Sequence, residues 1–242
     1  MTVAIVTGGS RGIGAAAVQL LSERGWDVWF SYRQDADAAA AVHAASPRSR
    51  AVQADVAVES DVLALFSAAD EMGPLGALVN NAGIVGNKTR VDELTVDRIE
   101  RMFAVNVTGA IVCAREAVLR MSTRHGGPGG VIVNVGSVAA RLGGANQYAD
   151  YAASKGALDT LTVGLAAEVA AEGIRVSCIR PGIIDTDIHG SGGEPDRAQR
   201  LAPVIPMQRP GTAHEIATWI AFLCSDESSY STGAIFDVSG GR

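Results

Sequence analysis

The chain has 242 residues, 48% of them hydrophobic, with 28 glycines and only 8 prolines. That mixture suits one large α/β domain and excludes a disordered or fibrous chain. A net charge of −6 without any block of like charges argues against nucleic acid or an acidic membrane surface as the default partner.

Residues 3–7 are predicted as the first strand. The first helix follows over 14–24, with Ala17, Val18 and Leu21 on one side. Strands over 28–32 and 51–55 come next, then a helix over 58–72 that puts Val62, Leu65, Phe66 and Ala69 on one face. Further strands are predicted at 77–80, 131–135, 175–179 and 234–238. Most of these runs are apolar nearly throughout, as parallel strands covered on both faces require. Thr212 and Glu215 form a capping-box pattern ahead of Ile216, Ala217 and Ile220. The alternation of strand and helix predicts a single doubly wound parallel sheet over 1–242, with helices on both faces. Residues 185–210, rich in Gly, Pro and charge and without a clean period, form the candidate lid over a binding site.

Cys113, Cys178 and Cys224 are far apart and lack metal-ligand spacing, so they are read as buried small hydrophobes in a reducing compartment. Met1 leads directly into an apolar strand, and no run approaches ~18 consecutive apolar residues. The expectation is a cytoplasmic protein with neither signal peptide nor membrane span.

The first strand runs through Thr7 into Gly8, Ser10, Arg11, Gly12, Ile13 and Gly14, and then into a helix. Glycines at 8, 12 and 14 let a backbone turn tightly and approach a pyrophosphate, while the helix offers free N–H groups and its positive dipole end. At the end of the second strand, an NAD site commonly has Asp or Glu; here Ser31, Tyr32 and Arg33 stand in that place. Arg11 and Arg33 can hold a 2′-phosphate through charge-assisted hydrogen bonds, which favours NADP(H) over NAD(H). Asp35 reads as the cap of the alanine-rich helix that follows.

Ser137 lies just beyond an apolar strand, at the edge where open α/β sheets bind ligands. Tyr151 and Lys155 are four apart at the start of a long helical segment and share a face. A phenol with pKa near ~10 serves acid–base chemistry at neutral pH only when its phenolate is stabilised, and a neighbouring ammonium does that. Tyr148 is the rival tyrosine, but four residues after it stands Ala152 rather than lysine.

Together with Asp55, Asn80 to Gly83, Asn106, and Pro181 and Gly182 through Thr186, these positions resemble the short-chain dehydrogenase/reductase family. The likeness is to its compact single-domain branch, near the 3-oxoacyl-acyl-carrier-protein reductases, and covers practically the whole chain. The resemblance implies a Rossmann-type sheet of seven strands in the order 3-2-1-4-5-6-7 and assembly as a homotetramer or homodimer. It implies Asp55 and Val56 beside the adenine, Asn81, Ala82 and Gly83 along the cofactor ribose, and Pro181, Gly182, Ile184 and Thr186 around the nicotinamide. Tyr151 is the implied acid/base, Ser137 holds the substrate oxygen, and Lys155 also grips the nicotinamide ribose. Asn106 is implied to hold a water on its backbone that relays protons to Lys155.

The expected reaction interconverts a carbonyl and a secondary alcohol. Arg124 and His125 stand where a carrier-docking patch begins, yet Glu172 occupies a slot that is typically basic in carrier-acting relatives, so a small free substrate is preferred. Residues 141–147 together with His189, Ser191 and Arg197 are expected to face it. Competing readings are an NAD-dependent alcohol or sugar dehydrogenase of the same family and a catalytically silent nucleotide sensor. An extended-branch epimerase is disfavoured by length, and a methyltransferase has no use for the Tyr151/Lys155 pair.

Overall fold

The computed structural model describes residues 2–242 and, at position 189, the main chain alone. Its first half comprises β1 (Val3–Val6), α1 (Gly12–Glu23), β2 (Asp27–Tyr32), α2 (Ala36–Ala45), β3 (Ser49–Gln53), α3 (Glu59–Asp70) and β4 (Leu75–Asn80). Next, α4 (Val96–Phe103), one stretch of π-helix (Ala104–Thr108) and α5 (Gly109–Met121) run on without a break. Then come β5 (Gly130–Val135), α6 (Ala139–Leu142), α7 (Ala149–Val169) and β6 (Ile174–Pro181). The chain ends with β7 (Ile184–Asp185), α8 (Ile188–Ser191), α9 (Arg197–Leu201), β8 (Gly211–Thr212), α10 (Ala213–Leu223) and β9 (Ile235–Val238).

The main sheet has seven parallel strands in the order β3-β2-β1-β4-β5-β6-β9, as expected, with β9 as the seventh; β7 and β8 pair separately. Successive strand residues point to opposite faces, so a strand covered on both sides must be apolar at every position. β1 shows this directly. Ala4 and Val6 enter the core beneath α1, α2 and α10, whereas Val3 and Ile5 enter the core beneath α3, α5 and α7. Leu21 of α1 and Ile220 of α10 belong to the first layer, and Phe66 of α3 and Met121 of α5 to the second. Each such fully buried side chain contributes roughly 1.5–3 kcal/mol relative to exposure. The continuous run Val96–Met121 is long and apolar enough, by length and composition, to cross a membrane, but half of its apolar window is buried inside the structure.

The strand expected over 51–55 lies two residues earlier. Asp55 leaves the ladder because its N–H donates to Asp61 Oδ2 (3.0 Å) and its own carboxylate caps the Ala57 N–H (3.0 Å). The expected caps form: Asp35 accepts from the Ala38 N–H at 2.9 Å, and Thr212 and Glu215 make a complete capping box at the start of α10.

Segment 185–210 is more ordered than an aperiodic loop. It contains α8 and α9 and is fastened to two neighbouring loops through Glu194. That carboxylate accepts hydrogen bonds from Lys88 Nζ (2.6 Å), the Tyr148 hydroxyl (2.8 Å), Arg197 Nη1 (2.7 Å) and Arg200. The Arg197 guanidinium stacks 5.0 Å from the Tyr148 ring centre and donates to Gln147 Oε1 at 3.1 Å. Arg197, expected to face substrate, is instead committed to this latch. The expected substrate contact of the His189 side chain lies outside the described residues.

Two stability tests follow. Thr212→Ala should cost about 1 kcal/mol in denaturant unfolding, with Thr212→Ser close to the parent. For Glu194, burial works against the charge, but hydrogen bonds from Lys88, Tyr148 and Arg197 hold its carboxyl at about 2, below the ordinary 4.5. The latch should therefore stabilise fully above pH 4.5 and fade as the pH falls toward about 2. Urea unfolding at stepped pH should show the deficit of Glu194→Gln at neutral pH shrinking across that window.

Candidate active site

A parallel sheet exposes unpaired backbone groups at the carboxyl ends of its strands, and local side chains must satisfy them. Between β1 and β4 that work falls to Thr7 and Asn81. Thr7 Oγ1 accepts from the Asn81 and Ala82 N–H groups, both at 3.0 Å. Asn81 Nδ2 returns two bonds, to Thr7 O (2.9 Å) and Gly8 O (3.0 Å). The Asn81 side chain thus braces the glycine loop, leaving Ala82 and Gly83 as the open lining.

The loop itself requires its glycines. Gly8 and Gly12 have φ of +67° and +55°, in the left-handed region that side chains disfavour. A Cβ on Gly14 would sit 2.2 Å from Gly8 O. The following helix α1 starts at Gly12 with Arg11 in extended conformation before it, and no side chain caps its N-terminus. Its first N–H groups, including those of Gly12, Ile13 and Gly14, are therefore disposed to receive an anion. The Ser31 hydroxyl accepts from the Gly8 N–H at 3.0 Å and ties the loop to β2.

At the end of β2, Arg33 is exposed and its carbonyl accepts from Gln53 Nε2 at 3.1 Å. Arg11 is also exposed, and neither arginine forms an ion pair among the described residues. Asp35, just beyond, is engaged at its own helix cap. Asp55 pairs with Arg101 at 2.7 Å. Its partial burial raises the carboxyl, but the Ala57 N–H, Arg101 and Arg33 outweigh that and hold it below its ordinary value. Val56 turns its side chain into the core beneath α3 and α5.

Lys155 and Tyr151 project from the first turns of α7. The Lys155 ammonium is buried, donates to Val135 O at the end of β5 (2.8 Å) and lies 5.8 Å from the Tyr151 ring centre. Burial brings Lys155 down to about 8, with Asp159 among the groups that oppose the fall. Burial raises the Tyr151 phenol, with a hydrogen bond from Ser137 acting the other way. Ser137 Oγ also accepts from the Ala139 N–H at 3.1 Å. Ser137, Tyr151 and Lys155, 18 positions apart in the chain at most, meet at one edge of the sheet.

Asn106 sits in the π-helical stretch, a distortion that recurs at functional sites. Its side chain is well anchored: Oδ1 accepts from the Ile84 N–H (2.8 Å), and Nδ2 donates to Ile84 O and Ser154 Oγ (both 3.0 Å). A Cβ on Gly83 would come within 3.4 Å of both Asn106 Oδ1 and Lys155 Nζ, so glycine keeps that approach open.

Across the crevice, Pro181 O accepts from the Val138 N–H (3.1 Å), and Gly182 is forced by packing, its Cβ position lying 2.7 Å from Ser239 Cα. Ile184 buries its side chain in the core, so only its main chain can face a cofactor. Thr186 approaches Gly12 to within 3.4 Å of its Cβ position and closes the near side of the groove. A separate hollow of about 300 Å³ lies between Ile183, Met207, Glu215 and Trp219; Ser137, Tyr151 and Lys155 do not line it.

Tyr148 has a different environment. It is buried, donates to Glu194, and is pushed up to about 12 by burial and that carboxylate. It anchors the 185–210 segment. The Asp159–Arg180 pair below Lys155, joined at 2.7 Å, was missed by the sequence reading; its visible traces are an acid one turn after Lys155 and an arginine in an apolar strand.

Comparison with known proteins matches residues 8–242 to the family model described as enoyl-(acyl carrier protein) reductase. An Escherichia coli K12 protein named uncharacterized oxidoreductase YgfF is 52% identical over 247 residues, covering 100% of both chains. The solved short-chain dehydrogenase/reductase from Serratia marcescens is 36% identical, with a TM-score of 0.90 over 99% of this chain and 97% of that one. A blue fluorescent protein from a metagenomic library, solved in complex with NADPH, is 38% identical, with a TM-score of 0.90 over the same shares. The glycine cradle, the sheet order and these likenesses agree: the chain belongs to the short-chain dehydrogenase/reductase family, oxidoreductases that act on alcohol and carbonyl groups.

Proposed function

We propose that the protein interconverts a small free ketone or keto-sugar and its secondary alcohol with NADP(H), using Tyr151 as proton donor and acceptor. The observation that carries this reading is the convergence of Ser137, Tyr151 and the buried Lys155 ammonium beside a glycine cradle of the right shape for a dinucleotide. When bound, the nicotinamide supplies or accepts the hydride. Gly8, Ser10, Gly12, Ile13 and Gly14 would hold its pyrophosphate, Arg11 and Arg33 its 2′-phosphate, Asp55 and Val56 its adenine, and Ala82, Gly83 and Lys155 its ribose. Pro181, Gly182, Ile184 and Thr186 would border the nicotinamide.

Ser137 donates its hydroxyl proton in a hydrogen bond to the substrate oxygen and fixes it against Tyr151. In reduction, Tyr151 gives its proton to that oxygen; in oxidation, it takes the proton back. Lys155 lowers the energy of the phenolate through its charge, opposing the burial that raises the phenol. Asn106 and Val135 hold the surrounding main chain and the ammonium in register.

A free substrate is favoured over a carrier-bound one by the surroundings of Arg124. Glu172 lies 4.0 Å from its guanidinium and also accepts from the Ser122 hydroxyl, so the patch is partly neutralised. We further infer a cytoplasmic enzyme assembled as a homotetramer or homodimer. Exposed Ile111 and Leu119 on α5 and Val163 on α7 fit association through those helices.

Titration with NADPH and with NADH, followed by quenching of Trp26, Trp29 or Trp219 fluorescence, tests the cofactor assignment. NADPH should bind more tightly, and Arg33→Ala should weaken NADPH by roughly tenfold while leaving NADH nearly unchanged. Preference for NADH would overturn the 2′-phosphate site. In a carbonyl screen, Tyr151→Phe should lose about 10²-fold or more of turnover with NADPH binding retained; full turnover would overturn the acid–base assignment.

A further inference from the structure

Lys155 is a buried cation whose nearest recorded oxygen is a neutral carbonyl, and no carboxylate forms an ion pair with it among the described residues. Burying an ammonium on those terms is costly unless a negative charge lies near. Asp159 stands one helical turn further along α7, on the same face, and is itself buried. Its carboxylate is gripped in a fork by Arg180 of β6, with Nε at 3.1 Å and Nη2 at 2.7 Å from Oδ2. Arg180 in turn reaches Asp237, its register partner on β9, at 3.4 Å, and Asp237 meets Arg141 Nε at 3.4 Å. Charges thus alternate from below Lys155 to α6, which follows Ser137.

We propose that Asp159 is the counter-charge of the Lys155 ammonium, and that Arg180 is the clamp that holds this carboxylate in place and moderates its field. Both are positioning residues acting through Lys155. The inference rests on the assignment of Lys155 to the hydride-transfer site and adds how that lysine keeps its charge.

The groups facing Lys155 are few. Tyr151 and Asp159 come from its own helix, Cys178 from β6, and Asn106 from the π-helical stretch, while Arg180 of β6 bears on Asp159. The Cys178 thiol, 3.7 Å from Asp159 Oδ1, is pushed up to about 12 by burial and by that carboxylate. It is therefore neutral over the range in which Lys155 titrates, and burial likewise keeps Tyr151 protonated there in the free protein. That leaves Asp159, one turn along the same helix face, as the acidic side chain among these groups. A purely structural pair tying α7 to β6 would use the same contacts, so the two roles separate only in how Lys155 responds to losing each partner.

The chain contains two lysines, Lys88 and Lys155, so a ¹³Cε-lysine spectrum has two signals and Lys88→Arg assigns them. Titrated without added cofactor, Asp159→Asn should move the Lys155 midpoint down, and Arg180→Gln should move it up, each by roughly one pH unit. Arg180→Lys, which keeps the charge, should stay near the parent. If Asp159→Asn does not fold, the contrast between Arg180→Gln and Arg180→Lys still decides. Shifts in the same direction, or none in folded variants, would overturn the proposal. Turnover plays no part in this measurement. An inactive protein with opposite shifts would refute the hydride-transfer reading and leave Asp159 as the counter-charge; an active one without shifts would do the reverse.

Discussion

The crevice between β1 and β4 is the constraint on which the site depends. The chain leaves β1 toward β2 on one side and leaves β4 toward β5 on the other, so their carboxyl-end connections diverge. Nothing in the main sheet can bridge that gap, yet every backbone group facing it needs a partner. Thr7 and Asn81 solve this with four hydrogen bonds that join the glycine loop to the turn after β4. With these two loops tied, the first N–H groups of α1 stay unengaged and point at the groove. The uncapped helix start beside the groove is a consequence of how the strand order reverses there.

The second constraint is the burial of Lys155. Removing an ammonium from water without a direct carboxylate partner draws its pKa down, here to about 8, and the surroundings are arranged to limit that fall. The Val135 carbonyl is available because β5 ends there and the chain turns at Gly136, whose Cβ position lies only 2.8 Å from Cys178 Sγ. Gly83 leaves room beside the ammonium on the opposite side. The π-helical stretch places Asn106 so that its amide bridges Ile84 and Ser154, fixing the loop after β4 against α7. Positions as distant as 84 and 154 are thereby held together around one cation.

Much of this was legible in the sequence because it is local. Strands apolar on both faces, the capping box at Thr212 and the four-residue spacing from Tyr151 to Lys155 each depend on neighbours along the chain. The edge strand β3 was misplaced by two residues because its exposed positions carry little pattern, and the turn that ends it is made by Asp55 and Asp61 side chains. What stayed hidden was long-range. Glu194 joins partners 106 and 46 positions away, and Arg180 reaches back 21 positions to Asp159. Charged residues look alike in sequence whether they are solvated or clamped. Arg197 was accordingly expected to face substrate when its guanidinium is occupied by Glu194 and Gln147.

The two tyrosines at the start of α7 show how environment divides identical groups. Tyr148 and Tyr151 are three residues apart and both are withdrawn from water, which raises each phenol. Tyr148 gives its hydroxyl proton in a hydrogen bond to a carboxylate, and ionising it would set two negative charges against each other. Its value of about 12 makes it a fixed donor suited to fastening a segment. Tyr151 has a hydroxyl and an ammonium beside it instead of an acid, so the same loss of a proton creates a charge that Lys155 attracts. The difference traces to spacing, since a lysine four residues on belongs to one tyrosine and an alanine to the other. The proposed proton exchange therefore falls to Tyr151 and not to Tyr148.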